Sequence, residues 1–407
     1  MSREYKKELL RRKMIPSLDK KEDDKMTVRR RYKKIYRLGL VMVVILLVLM
    51  LLTWFYYQRN HMFTSYETVW EIGITEGSLV GYETFGSNVL KVTRDGASYM
   101  DNKGKIIWTT IYEMKNPTVS VKGDYAAIAD TQNNVIYIFD TTGIQGRATT
   151  MLPITKVAVS ETGIVAAVLE EPTNSHITFF RKNGTILDIS ITTNMADSGY
   201  PLDISLSSDG SQLMATYVFL QNGELKNRVV FYDFSEVGKS IPGRLVGGFD
   251  ELFQGAFVGE VRFLGSSYSC AFSTKGLNFF SSKNLLSPAP VTQVSIEDEI
   301  QSVFYSNDYV GIIVKNNSGD YDNRMEIYKK SGELVMKKNF TYDYKKVDID
   351  GDLVILHNQD SCKIYNMAGV LKLYTAFDFT VSKIRQGNFP NTLIITGPQV
   401  MKKIKLH

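Results

Sequence analysis

The chain has 407 residues, 44% of them hydrophobic and 22% charged, with 21 Phe and 23 Tyr, a composition that excludes a disordered chain and favours a large core built on strands. Its net charge of +5 is uneven: residues 1–37 hold fifteen Lys/Arg against six Asp/Glu (+9), and the remainder holds 33 against 37 (−4). The folded part is therefore mildly acidic and lacks the basic face that phosphate binding needs, which argues against nucleic acid as a partner.

The first element, residues 1–37, is a basic tail. Glu4 to Lys13 could form a short helix, but Pro16 and the charge run 19–25 point to mostly disordered chain on the cytoplasmic side. Residues 38–57 (LGLVMVVILLVLMLLTWFYY) follow without a single charge. At 1.5 Å per residue, about twenty residues match a hydrocarbon core of about 30 Å, and twelve Leu, Ile and Val favour insertion by on the order of 6 kcal/mol. Trp54, Phe55, Tyr56 and Tyr57 are expected as interfacial anchors at one end, and Arg37, behind Arg29–Arg31, Lys33 and Lys34, at the other. The basic flank places the N-terminus in the cytoplasm and the rest outside. A cleaved signal peptide would have a shorter apolar region and a small-residue cleavage site, neither of which is present, so the segment reads as a signal anchor.

Residues 58–66 are expected as a linker and 67–407 as one extracytoplasmic domain of repeats. Five segments share an aromatic strand and a polar turn ending in glycine: ASYMDNKG to Gly104, IYIFDTTG to Gly143, TFFRKNG to Gly184, EIYKKSG to Gly332 and KIYNMAG to Gly369. Tight hairpins need a residue that tolerates positive φ. The gap between Gly184 and Gly332 has room for two degenerate units, around Tyr232 and Phe280. Each unit divides into four short strands, as in 155–160, 163–170, 177–181 and 186–191. The second strand of each is a continuous apolar run (AAIAD, VAAVL, LMATYV, SCAF, VGIIV, LVILH), as a strand buried on both faces requires.

Unit starts fall near Leu79, Pro117, Ile154, Leu202, Phe257, Ile300 and Lys345, with a remnant from Val381 that supplies three strands. The strand 68–74 (TVWEIGI), just after the apolar segment, is expected to complete that remnant. The fold class is thus all-β: a β-propeller of eight blades, with seven as the alternative, closed by pairing the two ends of the domain and preceded by one transmembrane helix.

Chemistry is sparse. His61, His176, His357 and His407 have no metal-ligand spacing. Cys270 and Cys362, 92 positions apart, read as small hydrophobes. The acidic runs 348–352 and 318–323 lack the ligand spacing of a calcium loop, and the first reads as a turn between strands. No nucleophile elbow or phosphate-binding loop is present, so no catalytic, cofactor-binding or metal residue is assigned and no cofactor is expected. Arg147, Arg228, Arg244 and Arg262 are candidate surface contacts.

The runs IYIFDTTG and YMDNKGKIIWTT, with Trp108, resemble the repeat of quinoprotein-type (PQQ-like) propellers, in which an aromatic strand ends in Asp, a glycine turn follows, and the next strand carries Trp. Tail, anchor and degenerate propeller together look like an uncharacterised family of membrane-anchored propeller-like proteins of Gram-positive bacteria. The likeness extends to envelope propellers that scaffold protein assemblies. The family resemblance implies location, not activity; the anchor, the rigid repeat platform and the lack of catalytic motifs point to a non-enzymatic binding or scaffolding module of the cell envelope whose partners are the bilayer and an envelope protein or wall polymer. An envelope enzyme acting at the channel, or a sensor coupled to the basic tail, is the alternative.

Overall fold

The computed structural model describes residues 3–75, 77–316 and 319–407, and of residues 3 and 11–32 the backbone alone. It divides into two compact units, Met1–His61 and Met62–His407. In the first, one helix runs Arg3–Asn60, and its stretch Lys33–Asn60 is long and apolar enough to cross a membrane. The charge run 19–25 and Arg29–Arg31, which bear on the expected disorder and orientation, lie outside the residues whose side chains are described.

The second unit is a ring of eight four-stranded antiparallel sheets, the eight-bladed propeller expected. Blades 1 to 7 span 79–111, 117–149, 154–194, 200–249, 258–295, 300–340 and 346–376, each with its strands in chain order. Blade 8 takes Lys383–Gln386, Thr392–Thr396 and Val400–Leu406 from the end of the chain and Tyr66–Gly73 from the start of the unit. That early strand pairs antiparallel with the last, from Tyr66 opposite Leu406 to Gly73 opposite Val400.

Second strands are apolar throughout because each blade is covered on both faces: Ala126–Ala129 and Leu213–Ala215 are wholly buried. The core is accordingly divided into wedges between blades. Met325 and Ile327 of blade 6 pack with Val354 and Leu356 of blade 7, and Ile177 and Phe179 of blade 3 with Ala215 and Tyr217 of blade 4.

The repeated turn glycines all have positive φ, +77° at Gly104, +134° at Gly143, +84° at Gly184, +86° at Gly332 and +76° at Gly369. Four of them have a second reason to be glycine, because the turn presses on the outer strand of the preceding blade. A Cβ on Gly184 would lie 2.3 Å from the Arg147 carbonyl oxygen, and one on Gly332 2.5 Å from Thr292 Cβ. Gly104 and Gly369 face softer contacts there, the far ends of the Ile72 and Met336 side chains at 2.9 and 3.2 Å. Trp108 uses this contact in reverse: it stacks on Phe139 of blade 2, ring centroids 5.3 Å apart, and donates Nε1–H to the Thr141 carbonyl at 3.2 Å.

Ring closure begins before the closing strand. Phe63 is buried in the wedge between blades 7 and 8 with Leu373, Phe377 and Leu406, and its amide donates to the Lys372 carbonyl at 2.8 Å. Thr64 N–H donates to the His407 carbonyl at 3.0 Å, and His407 N–H returns a bond to Ser65.

Candidate functional site: the central channel

The first strands of all eight blades converge on a cavity of about 710 Å³ along the ring axis. Charge enters it from seven of them: Glu83, Lys122, Lys156, Asp203, Glu260 with Arg262, Asp348 and Lys383, while blade 6 contributes Tyr305. Acids and bases are equal in number, and most are engaged with each other.

The tightest group spans blades 4, 5 and 6. Arg262 Nη1 lies 2.5 Å from Asp203 Oδ2 and its Nη2 2.9 Å from Glu260 Oε1, and its Nε donates to the Tyr305 hydroxyl. Asp203 also accepts the Val261 amide at 3.0 Å. Burial alone would lower the arginine pKa, but Asp203, Tyr305 and Glu260 outweigh it and raise it, so the guanidinium stays charged. On the far side Lys383 pairs with Asp348 at 3.2 Å. Nearby Glu83 has its carboxyl pKa raised by burial, against the opposing field of Lys383.

Lys122 crosses the channel from blade 2, and its Nζ donates to the carbonyls of Leu206 at 2.5 Å and Phe263 at 3.4 Å. Carbonyl dipoles do not replace the water it loses, and burial lowers its pKa from 10.5 to about 8. Between those two values the unfolded chain binds more protons than the folded one, so this lysine makes stability rise with pH. The unfolding free energy of the wild type relative to Lys122→Met is expected to climb from pH 8 to 10.5 in urea titrations. A difference that stays flat across that window would show that the amine is not desolvated. The turns at that end are laced together: Glu161 accepts from Ser208 Oγ at 2.9 Å and from Asn307 Nδ2 of blade 6 at 3.3 Å.

Of the arginines singled out in the sequence, Arg262 alone reaches the channel. Arg147 lies over Tyr137, Arg244 over Phe234 and Arg228 over Phe219, all on the outer parts of blades. The anchors Arg37, Trp54, Phe55, Tyr56 and Tyr57 all sit on the N-terminal helix, the four aromatic side chains exposed. His176 bonds Glu171 at 2.8 Å and Thr192 at 3.1 Å, His407 pairs with Glu67 at 3.0 Å, His61 stacks on Tyr57, and His357 is buried with its pKa lowered by that burial. Cys270 and Cys362 are free thiols buried in different wedges. The run 348–352 ends the first strand of blade 7 with Asp348 and Asp350 and turns into the second at 351–352; Asp348 holds Lys383, and Asp350 accepts the Gln386 amide at 2.7 Å. Ser318 of the other acidic run lies outside the described residues.

Sequence reasoning missed Glu83, Lys122, Asp203, Glu260 and Lys383 as channel residues. A faint signal existed for Glu83 and Asp203, each the one charge within its first strand, but not for Lys383, whose strand also holds Arg385 and Gln386. Nothing in the sequence paired them, because they lie on different blades.

In sequence, no curated protein matches the chain. Among solved structures, the computationally designed protein Ika8 is 10% identical with a TM-score of 0.53, covering 84% of this chain and 99% of that one. Sqt1 of Chaetomium thermophilum, solved bound to the N-terminus of ribosomal protein L10, is 11% identical with a TM-score of 0.53, covering 84% and 100%. BamB from Moraxella catarrhalis is 13% identical over 84% and 100%, with a TM-score of 0.49. At these identities the likeness concerns the fold alone. A family model matches residues 59–406, almost the whole propeller, and the chain belongs to that family of unknown function, DUF5711.

Proposed function

We propose that the chain is a membrane-anchored, extracytoplasmic propeller that serves as a non-catalytic binding or scaffolding module in the envelope of a Gram-positive bacterium, with an envelope protein as its partner. The observation that carries this reading is the state of the channel. Its arginine is held by two carboxylates and a phenol, Lys383 by Asp348, and Lys122 by two carbonyls. Groups so engaged stiffen the ring and leave recognition to its outer surface. The apolar stretch Lys33–Asn60, none of it buried, supports the anchor.

Met151 is fully exposed on a turn, whereas both native cysteines are buried, so a Met151→Cys variant carries one reactive thiol. Intact cells treated with a membrane-impermeant maleimide are expected to label this position. Labelling that appears only after permeabilisation would overturn the extracytoplasmic placement. A photo-cross-linker on the same thiol is expected to capture membrane proteins with the full chain, and a set unchanged when the helix is removed would contradict membrane-proximal scaffolding.

A further inference from the structure

Among the described residues, blade 4 has the longest hairpin between its second and third strands. Its second and third strands, Gln212–Gln221 and Glu224–Asp233, have ten residues each and pair along their whole length around Asn222 and Gly223, both at positive φ. The first strand of the blade pairs with this hairpin only as far as Val218, and the fourth only from Val229. Residues 219–228 therefore project beyond the blade's ladder, the second strand touched on its outer edge by the Met195 carbonyl, which accepts the Leu220 amide at 3.4 Å.

The projection has two chemically different faces, because alternate residues of a strand point to opposite sides. Asn227 Oδ1 accepts the Val258 amide at 2.8 Å, so its face looks toward blade 5. That face bears the cross-strand pair Leu220 and Leu225, 49% and 67% exposed, and Phe257, next in the chain to the Val258 that Asn227 holds, is exposed as well. The opposite face holds Tyr217, which packs with Phe179 of blade 3, then Phe219, Lys226 and Arg228.

Arg228 is the unusual residue. Its guanidinium lies 3.9 Å over the Phe219 ring, its Nε is buried with no acceptor, and among the described residues no carboxylate pairs with it. Of the neighbouring acids, Asp250, which follows the Phe249 opposite Val229, holds its carboxylate on the Glu251 amide at 3.1 Å, and Glu251 itself is exposed. Glu170 accepts from the Tyr200 hydroxyl at 3.3 Å and Asp197 from Asn194 Nδ2 at 3.1 Å. Glu224 is four residues along the strand, about 13 Å away. An arginine flattened on an aromatic ring is pre-oriented, and a carboxylate is the group its fork matches.

We propose that the free edge of the third strand, residues 224–228, receives an extended segment of a partner protein in which acidic and aliphatic residues alternate. Main-chain hydrogen bonds would add it as a strand, its carboxylates would meet Arg228 and Lys226, and its aliphatic side chains would lie beside Leu225 and Phe257. Alternation in the partner follows from the two-faced hairpin. This assignment rests on the binding-module reading and specifies its surface.

A random heptapeptide display library, selected on the full chain in detergent micelles, tests it. Enriched peptides are expected to alternate Asp or Glu with Leu, Ile or Val, and to bind Arg228→Gln about tenfold more weakly, as loss of a charge-assisted contact predicts. Arg228→Lys should retain part of the affinity. Leu225→Ser, a change at an exposed tip, should weaken binding without lowering the melting temperature. The assignment is overturned by enrichment of basic or uncharged sequences, by binders indifferent to these variants, or by a selection without binders. It also falls if phosphatidylglycerol vesicles bind in an Arg228-dependent way that peptides do not compete. Binders that map elsewhere would leave a binding module but remove this site, and an inward-facing residue 151 would remove the envelope location but not the site.

Discussion

A chain that begins at Met62 is expected to fold, and one that begins at Ile74 is not. The eleven residues from Phe63 to Gly73 are few, but they close the ring. The strand Tyr66–Gly73 pairs with Val400–Leu406 at seven positions, and Ser65 and Thr64 exchange further backbone bonds with His407. At about 1 kcal/mol net per backbone bond, losing this ladder costs on the order of 5 kcal/mol. Removing Phe63 from its wedge adds about 3–5 kcal/mol. The sum is comparable with the whole stability of an ordinary domain, about 5–15 kcal/mol. The shorter chain also leaves the edge of Val400–Leu406 unpaired, an invitation to aggregate. Thermal melts followed by circular dichroism, with size-exclusion chromatography, separate the outcomes. If the two chains melt within a few degrees of each other as monomers, closure by the early strand is not what holds the ring.

Arg262→Met is expected to be the most damaging single change in the channel, at about 3–5 kcal/mol, the cost of leaving a buried charge alone. The Asp203 side chain is only 9% exposed, and without the guanidinium it keeps the Val261 amide as its remaining polar contact. The reverse change should be milder, because Asp203→Asn leaves Arg262 with Glu260 and Tyr305. Adding Asp203→Asn to Arg262→Met should then recover stability, since the orphaned carboxylate carries most of the cost. Urea denaturation of the two single variants and the double variant closes the cycle. A double variant less stable than Arg262→Met would mean that the group is not held together by charge.

Much of the architecture was legible before any coordinates. Aromatic strands ending in glycine turns marked the period, and apolar second strands such as AAIAD and VGIIV marked the blade interior. The unpaired strand TVWEIGI beside a three-stranded remnant marked the closure. Except for the closure, which joins strands more than three hundred residues apart, these are local signals, carried by residues close together in the chain. The glycines show where such legibility stops: positive φ explains the hairpin at Gly184, but its contact with Arg147 is made across a blade boundary.

The sequence by itself determined the apolar segment, the repeat and the pairing of the two ends, and it narrowed the blades to eight or seven, which the eight closed sheets decided. Each follows from hydrophobic periodicity and turn chemistry within some forty residues, or from a strand left without neighbours. Tertiary structure alone decided that Asp203, Glu260, Arg262 and Tyr305 meet, that Lys122 reaches carbonyls two and three blades away, and that Phe63 is a wedge rather than part of a linker. It also decided that, among the described residues, no carboxylate pairs with Arg228. The physical reason is that a propeller brings together residues separated by whole blades, and those distances are set by the curvature of the ring rather than by any local pattern.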